Sequence, residues 1–205
     1  MIRPALVATL CTVLGACSAI TGPRSQFTVF TLNPPPAQPA ADTVASVDWQ
    51  LAIDEPHALG LLASDRLVVA PDANERLAFA GARWNESAPA LLQDLWLRTF
   101  EADGRIGAVV RHPSGTLAQR VLATDLVAFQ IEHHGSQSEA VIAVQARLVD
   151  AGSRRNLAQA PFRSRVAVRD DSAQAAVQAL EAATAELSTQ LLAWTIREGE
   201  RTATP

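Results

Sequence analysis

The feature that most limits the fold is an apolar stripe near the C-terminus. Between Ser172 and Glu198, the residues Ala173, Val177, Leu180, Thr184, Leu187, Leu191 and Trp194 recur at alternating steps of four and three. On a helix that spacing gathers them on one face, while Gln174, Glu181 and Glu186 stay wet. Such a helix needs a second apolar surface to lie on. A sustained 3–4 repeat also fits a coiled-coil seam. Alanine and threonine leave this stripe thin, however, so a sheet of the same chain is the expected support.

That sheet is legible upstream. Leu126–His133 alternates Val127, Phe129 and Ile131 on one face. Ala140–Val149 sets Ile142, Val144, Ala146 and Leu148 against Gln145 and Arg147. Phe162–Arg169 sets Phe162, Val166 and Val168 against Arg163, Arg165 and Arg169. Turn residues Gly135-Ser136 and Asp150-Ala151-Gly152-Ser153 separate the runs, which predicts an antiparallel meander with one covered and one wetter face. Earlier strands are expected at Gln26–Leu32, Val47–Asp54, Leu67–Ala70, Arg76–Ala80 and Ile106–Arg111, with a helical turn over His57–Ala63. Pro34, Pro35, Pro36 and Pro39 make an extended connector. A further helix begins at Asn85 or Ser87, with Glu86 and Pro89 in its first turn, and stops at Asp103-Gly104. Its apolar face holds Leu91, Leu92, Leu95 and Trp96. The expected fold class is α/β, a layered mixed β-sheet with an antiparallel meander, packed against two main amphipathic helices.

At the N-terminus, Arg3 precedes an apolar run from Ala5 to Leu14 that is too short to span a bilayer, which takes roughly 20 residues. A charged start, a short apolar stretch and small residues before a cut site describe a secretory signal. Here Leu14, Gly15 and Ala16 lead into Cys17 and resemble the lipobox of bacterial lipoproteins. The resemblance implies cleavage before Cys17, lipid on its sulfur and acylation of the new amino terminus. One acyl chain holds a protein marginally, whereas two or more hold it stably; the resemblance implies three. Ser18, not aspartate, follows the cysteine, which by the sorting pattern of such lipoproteins implies the outer membrane, with the domain in the periplasm. The expected layout is a signal over 1–16, a lipidated tether over 17–25, a domain over 26–198 and a tail over 199–205. Ser18–Ser25 spans at most roughly 25–30 Å, so the domain is expected close to its membrane.

Chain 17–205 keeps 189 residues, enough for a real core, and 16 arginines against 21 acidic residues, a side-chain balance of −5. An acidic chain lacks the basic footprint of a nucleic-acid binder. Cys11 leaves with the signal and Cys17 is taken by lipid, so no disulfide, thiol nucleophile or cysteine metal site is expected after processing. His133-His134 on a strand would point to opposite faces and grip one metal poorly. Ser114-Gly115 and Ser136 lack the nucleophile-elbow context, and no phosphate loop or dinucleotide fingerprint occurs. The expectation is a non-enzyme with no cofactor and no metal. The meander arginines Arg147, Arg163, Arg165 and Arg169 form either a patch for lipid headgroups or an acidic partner, or the solvated face of the sheet.

With these residues in place, the chain resembles the ABC-type transport auxiliary lipoprotein family, which includes the paraquat-inducible protein C lipoproteins. The features that carry the resemblance are Cys17, Thr31-Leu32, the run Leu62–Val69 with Asp65-Arg66, and Ala82-Arg83-Trp84 opening a helix with Leu92 and Leu95. Asp65, Arg66, Trp84, Leu92 and Leu95 are therefore candidates for structural or docking roles. Phenylalanine stands where tyrosine often follows the lipobox, and no Pro-Gln follows Asp65-Arg66. The resemblance implies a non-catalytic subunit of an MCE-type ABC system that moves phospholipids or other hydrophobic molecules between inner and outer membranes. Its implied partner is the MCE-domain periplasmic protein. Direct phospholipid contact and a homo-oligomer both remain open. The alternatives are a lipoprotein that activates a cell-wall enzyme and an independent periplasmic lipid-binding carrier.

Overall fold

A computed structural model of the chain describes residues 27–33, 46–113 and 115–201. The signal and lipobox, the tether, the proline-rich connector, Ser114 and the end of the tail lie outside the described residues. The elements in chain order are β1 (Thr28–Phe30), β2 (Leu51–Ile53), a 3-10 turn (Gly60–Ala63), β3 (Arg66–Ala70), β4 (Leu77–Trp84), α1 (Ala88–Asp103) and β5 (Val109–Arg111). They are followed by β6 (Arg120–His134), β7 (Gln137–Asp150), β8 (Asn156–Ala167) and α2 (Ala173–Arg201).

β6 is the axis of an eight-stranded mixed sheet. One of its edges pairs antiparallel with β7, which pairs antiparallel with β8. Its other edge is shared: β2 runs parallel to residues 120–122, His57 bridges Asp125, and β3 runs parallel to residues 130–132. β5 extends the β2 arm in parallel. The β3 arm continues through antiparallel β4 to β1, which is parallel to β4. The α/β class, the mixed sheet, the meander and the two packing helices are as the sequence predicts.

Both helices contribute to one core with the same sheet face. Leu92, Leu95, Trp96 and Phe100 of α1 and Leu180, Leu187 and Leu191 of α2 are all essentially inaccessible. They close on Leu122, Phe129, Ile142 and Leu148. The Trp96 indole N–H donates to Ser188 Oγ at 3.0 Å and ties the helices to each other. Phe162 meets Trp194 edge-on at 5.6 Å. Local chemistry sets the helix ends. Ser87 Oγ accepts from the Ala90 amide, so Ser87 is the cap of the two candidates, and Gly104 closes α1 with φ 77°. Ser172 Oγ accepts from the Ala175 amide at 3.1 Å. The described residues contain no helix long and apolar enough to cross a membrane.

The other sheet face carries the arginines. Arg147 pairs with Asp125 at 2.9 Å, Arg163 with Glu132 at 3.1 Å and Arg165 with Glu139 at 3.3 Å. Exposed pairs of this kind are worth about 1 kcal/mol or less. Beneath them Ala128, Val141 and Ala143 are buried, as expected where long side chains lay their aliphatic stems over apolar surface.

Three expectations are corrected. Val127 does not join Phe129 and Ile131 in the core: a bulge between Leu126 and Ala128 leaves it the unpaired extra residue, 59% exposed. Leu126 takes the inner position instead. The Val47–Asp54 strand shortens to Leu51–Ile53, with Val47 making an isolated parallel bridge to Ile106. The last helix does not end at Glu198 but runs through Gly199 to Arg201.

Gly199 is there for space. A Cβ at this position would lie 2.3 Å from Cζ2 of Trp49, a buried ring. Gly199→Val is expected to cost about 1–3 kcal/mol by forcing the indole from its slot. Urea unfolding followed by tryptophan fluorescence checks this, and an unchanged midpoint would refute the contact.

Two turns hold their carboxylates below the ordinary value. The Ser153 hydroxyl and then its amide donate to Asp150, with Arg120 at 2.7 Å on the other oxygen. The Ser172 hydroxyl and then its amide do the same for Asp170. A depressed carboxyl stabilises fully above its unfolded value and loses that contribution as pH falls through the folded one. These turns should therefore be insensitive between about pH 5 and 8 and weaken below about pH 4. The double change Asp150→Asn and Asp170→Asn should make the acid limb of a melting-temperature profile shallower.

Candidate functional site

The Asp65-Arg66 pair and Trp84, distant in sequence, meet where β3 begins and β4 ends. The Trp84 amide donates to the Asp65 carbonyl at 2.8 Å, the Asn85 amide to the Phe30 carbonyl at 2.8 Å, and the Ala88 amide to the Ser64 carbonyl at 3.0 Å. Ser64 Oγ donates to the Leu61 carbonyl and accepts from the Arg66 amide. These bonds fix the corner from which α1 departs.

Side chains divide sharply here. Trp84 points into the core, 1% exposed, with its ring stacked on Phe129 at 5.4 Å and 27°. Its indole nitrogen is buried without a hydrogen-bond partner, so packing holds the ring. Leu92 and Leu95 are buried on the inward side of α1. Of the five motif residues, these three sit in the core and present no surface to a partner.

Asp65 and Arg66 lie outside, with Arg83 and Phe27. The Asp65 carboxylate faces Arg83 Nη1 at 3.3 Å and Arg66 Nε at 3.6 Å. Both guanidinium groups lie over the Phe27 ring, at 5.3 and 5.9 Å from its centre. Register explains the cluster. Arg66 pairs with Arg83, and Arg83 with Val29, so alternation puts Val29 and Phe27 on the same side as both arginines. Phe27 is 38% exposed and Val29 48%. Two cations and one carboxylate leave the corner with one positive charge. Sequence reasoning read Phe27 only as part of a strand; its distinguishing signal is the i, i+2 pair of apolar residues on an edge strand.

Elsewhere, a cavity of about 440 Å³ opens beside the start of α2. Val69, Phe79, Ile131 and Val168 line it, with His133 and Ser172 among its polar residues. His133 shares a 2.8 Å hydrogen bond with Ser138, while His134 lies 3.6 Å from Glu132 and 3.8 Å from Glu139. Among the described residues, no group of three or more histidine, cysteine or acidic side chains gathers as a metal site.

The family model described as ABC-type transport auxiliary lipoprotein component matches residues 30–192. The chain belongs to that family. Among structures similar to this auxiliary lipoprotein is the crystal structure of protein XCC0632 from Xanthomonas campestris, with a TM-score of 0.79 and 27% identity, covering 87% of this chain and 99% of that one. A second crystal structure, of an uncharacterized protein, shares the fold at a TM-score of 0.62 and 13% identity, covering 82% of this chain and 97% of the other. The uncharacterized protein bll6063 of Bradyrhizobium diazoefficiens is 29% identical over 187 residues, which is 90% of this auxiliary lipoprotein. The match spans 49% of that relative's length.

Proposed function

We propose that this chain is a non-catalytic, lipid-anchored subunit of an MCE-type ABC transport system, held at the periplasmic face of the outer membrane. There it receives the MCE-domain protein that carries phospholipids or other hydrophobic molecules between the two membranes. The observation that carries the reading is the family match over residues 30–192 in a chain whose Leu14-Gly15-Ala16-Cys17 has the lipobox pattern. Trp84, Leu92 and Leu95 build the corner, and Asp65 and Arg66 are engaged in ion pairs there. For docking, β8 offers a 12-residue strand that pairs, among the described residues, only with β7.

The test is mild detergent extraction of the envelope followed by purification of this chain. Co-purification of an MCE-domain protein is the expected result. Recovery only as a free monomer, under crosslinking in intact cells, would refute it. A second reading, an independent lipid-binding carrier, draws on the cavity beside α2, where Val69, Phe79, Ile131 and Val168 meet serine, histidine and aspartate side chains. It predicts bound phospholipid on the isolated chain in native mass spectrometry, without any MCE partner.

A further inference from the structure

We propose that the outer corner formed by Phe27, Val29, Arg66 and Arg83 rests directly on an anionic phospholipid surface, so that the chain is held at two points and has a fixed orientation. The inference rests on the anchor reading of Cys17. The first reason is reach. Phe27 lies ten residues beyond Cys17, and ten residues extend at most about 33–36 Å. β1, which begins at Thr28, is the first element of the described domain in sequence, so this corner stays within that distance of the lipid.

The second reason is chemistry. A bilayer interface accommodates arginine, whose apolar stem lies along the acyl boundary while its charged head stays with the headgroups, beside exposed phenylalanine or valine, which enter as plain apolar surface. Phe27 and Val29 supply exposed apolar surface on one side of an edge strand. Arg66 and Arg83 hold their guanidinium groups against the ring. Asp65 balances one of the two cations and fixes both in place, leaving one positive charge toward the lipid. Two arginines on one carboxylate also occur at Asp94 and at Glu198, so it is the ring beneath both guanidinium groups and the exposed Val29 beside it that set this corner apart. Anionic headgroups attract each such charge, and the attraction falls off over about a Debye length, so added salt weakens it.

The experiment uses the full processed chain, purified from membranes and reconstituted into vesicles of phosphatidylethanolamine and phosphatidylglycerol with brominated acyl chains. Phe27→Trp places a reporter at the corner, and Leu77→Trp places one at the far end of β4, about 13 Å along the strand from the level of Phe27, where Leu77 is 47% exposed. The four native tryptophans are buried and contribute little contrast. The expected result is quenching of the Phe27→Trp signal at least about twofold that of Leu77→Trp, reduced by Arg66→Gln with Arg83→Gln and by replacing phosphatidylglycerol with phosphatidylcholine. Vesicle flotation with equal quenching at both positions would overturn the lipid-facing corner alone. Equal quenching in anionic and zwitterionic vesicles would overturn the headgroup assignment. Failure of every variant to float would overturn the anchor and, with it, the corner.

Discussion

Trp84→Ala is expected to lower the stability of the domain by about 3–5 kcal/mol, the range for emptying a buried aromatic site. The ring is almost wholly enclosed and stacked on Phe129 of β6, so its removal leaves a void between the β3–β4 arm and the central strand. Collapse into the void is hindered because the backbone of this residue is pinned to the Asp65 carbonyl. For a domain of this size the loss corresponds to a melting temperature lower by about 6–20 °C. Trp84→Phe keeps an aromatic against Phe129 and should recover part of the difference. Thermal melts followed by far-ultraviolet circular dichroism read both variants. An unchanged melt with lost partner binding would instead place Trp84 at an interface.

Cys17→Ser is expected to move the protein from the membrane to the soluble fraction. The argument is one of hydrophobic area: each buried acyl CH₂ contributes about 0.8 kcal/mol, and two or more chains make attachment effectively stable. A serine hydroxyl at this position offers no sulfur for the thioether. None of the described helices is long and apolar enough to cross a bilayer, the Ala5–Leu14 run is itself too short, and a corner with one net positive charge would add only about 1 kcal/mol of attraction. Fractionation after an alkaline wash, with mass analysis of the processed amino terminus of the parent, checks the prediction. Retention of the serine variant in the membrane pellet would refute it.

The parts of the fold legible in the sequence are those with an unbroken period. The stripe of α2 and the alternation of β7 and β8 each lie against a continuous surface, and every residue from Val177 to Trp194 named for the stripe is buried. The period of β6 breaks at Val127 because a bulge adds a residue without leaving a compositional mark, and every side chain past it changes face. Gly199 reads as a helix stop by propensity, yet the tight fit of the Trp49 ring gives it a different reason to be glycine. The candidate corner was half legible. Asp65, Arg66 and Trp84 are visible as a motif, but only the β3–β4 pairing shows that the tryptophan faces inward and the ions outward. Phe27 was hidden because a strand pattern alone does not say which of its residues lies on the uncovered side.

β1 is the point where any tension on the amino-terminal tether enters the domain. It runs parallel to β4 through three residue pairs, Leu32 just beyond it is plugged into the interior, and Asn33 is clasped by Glu181 of α2. Traction along the strand strains those pairs together, whereas a sideways tug parts them one after another. The joint thus has a strong direction and a weak one, and a subunit suspended from it resists being dragged lengthwise better than being peeled away.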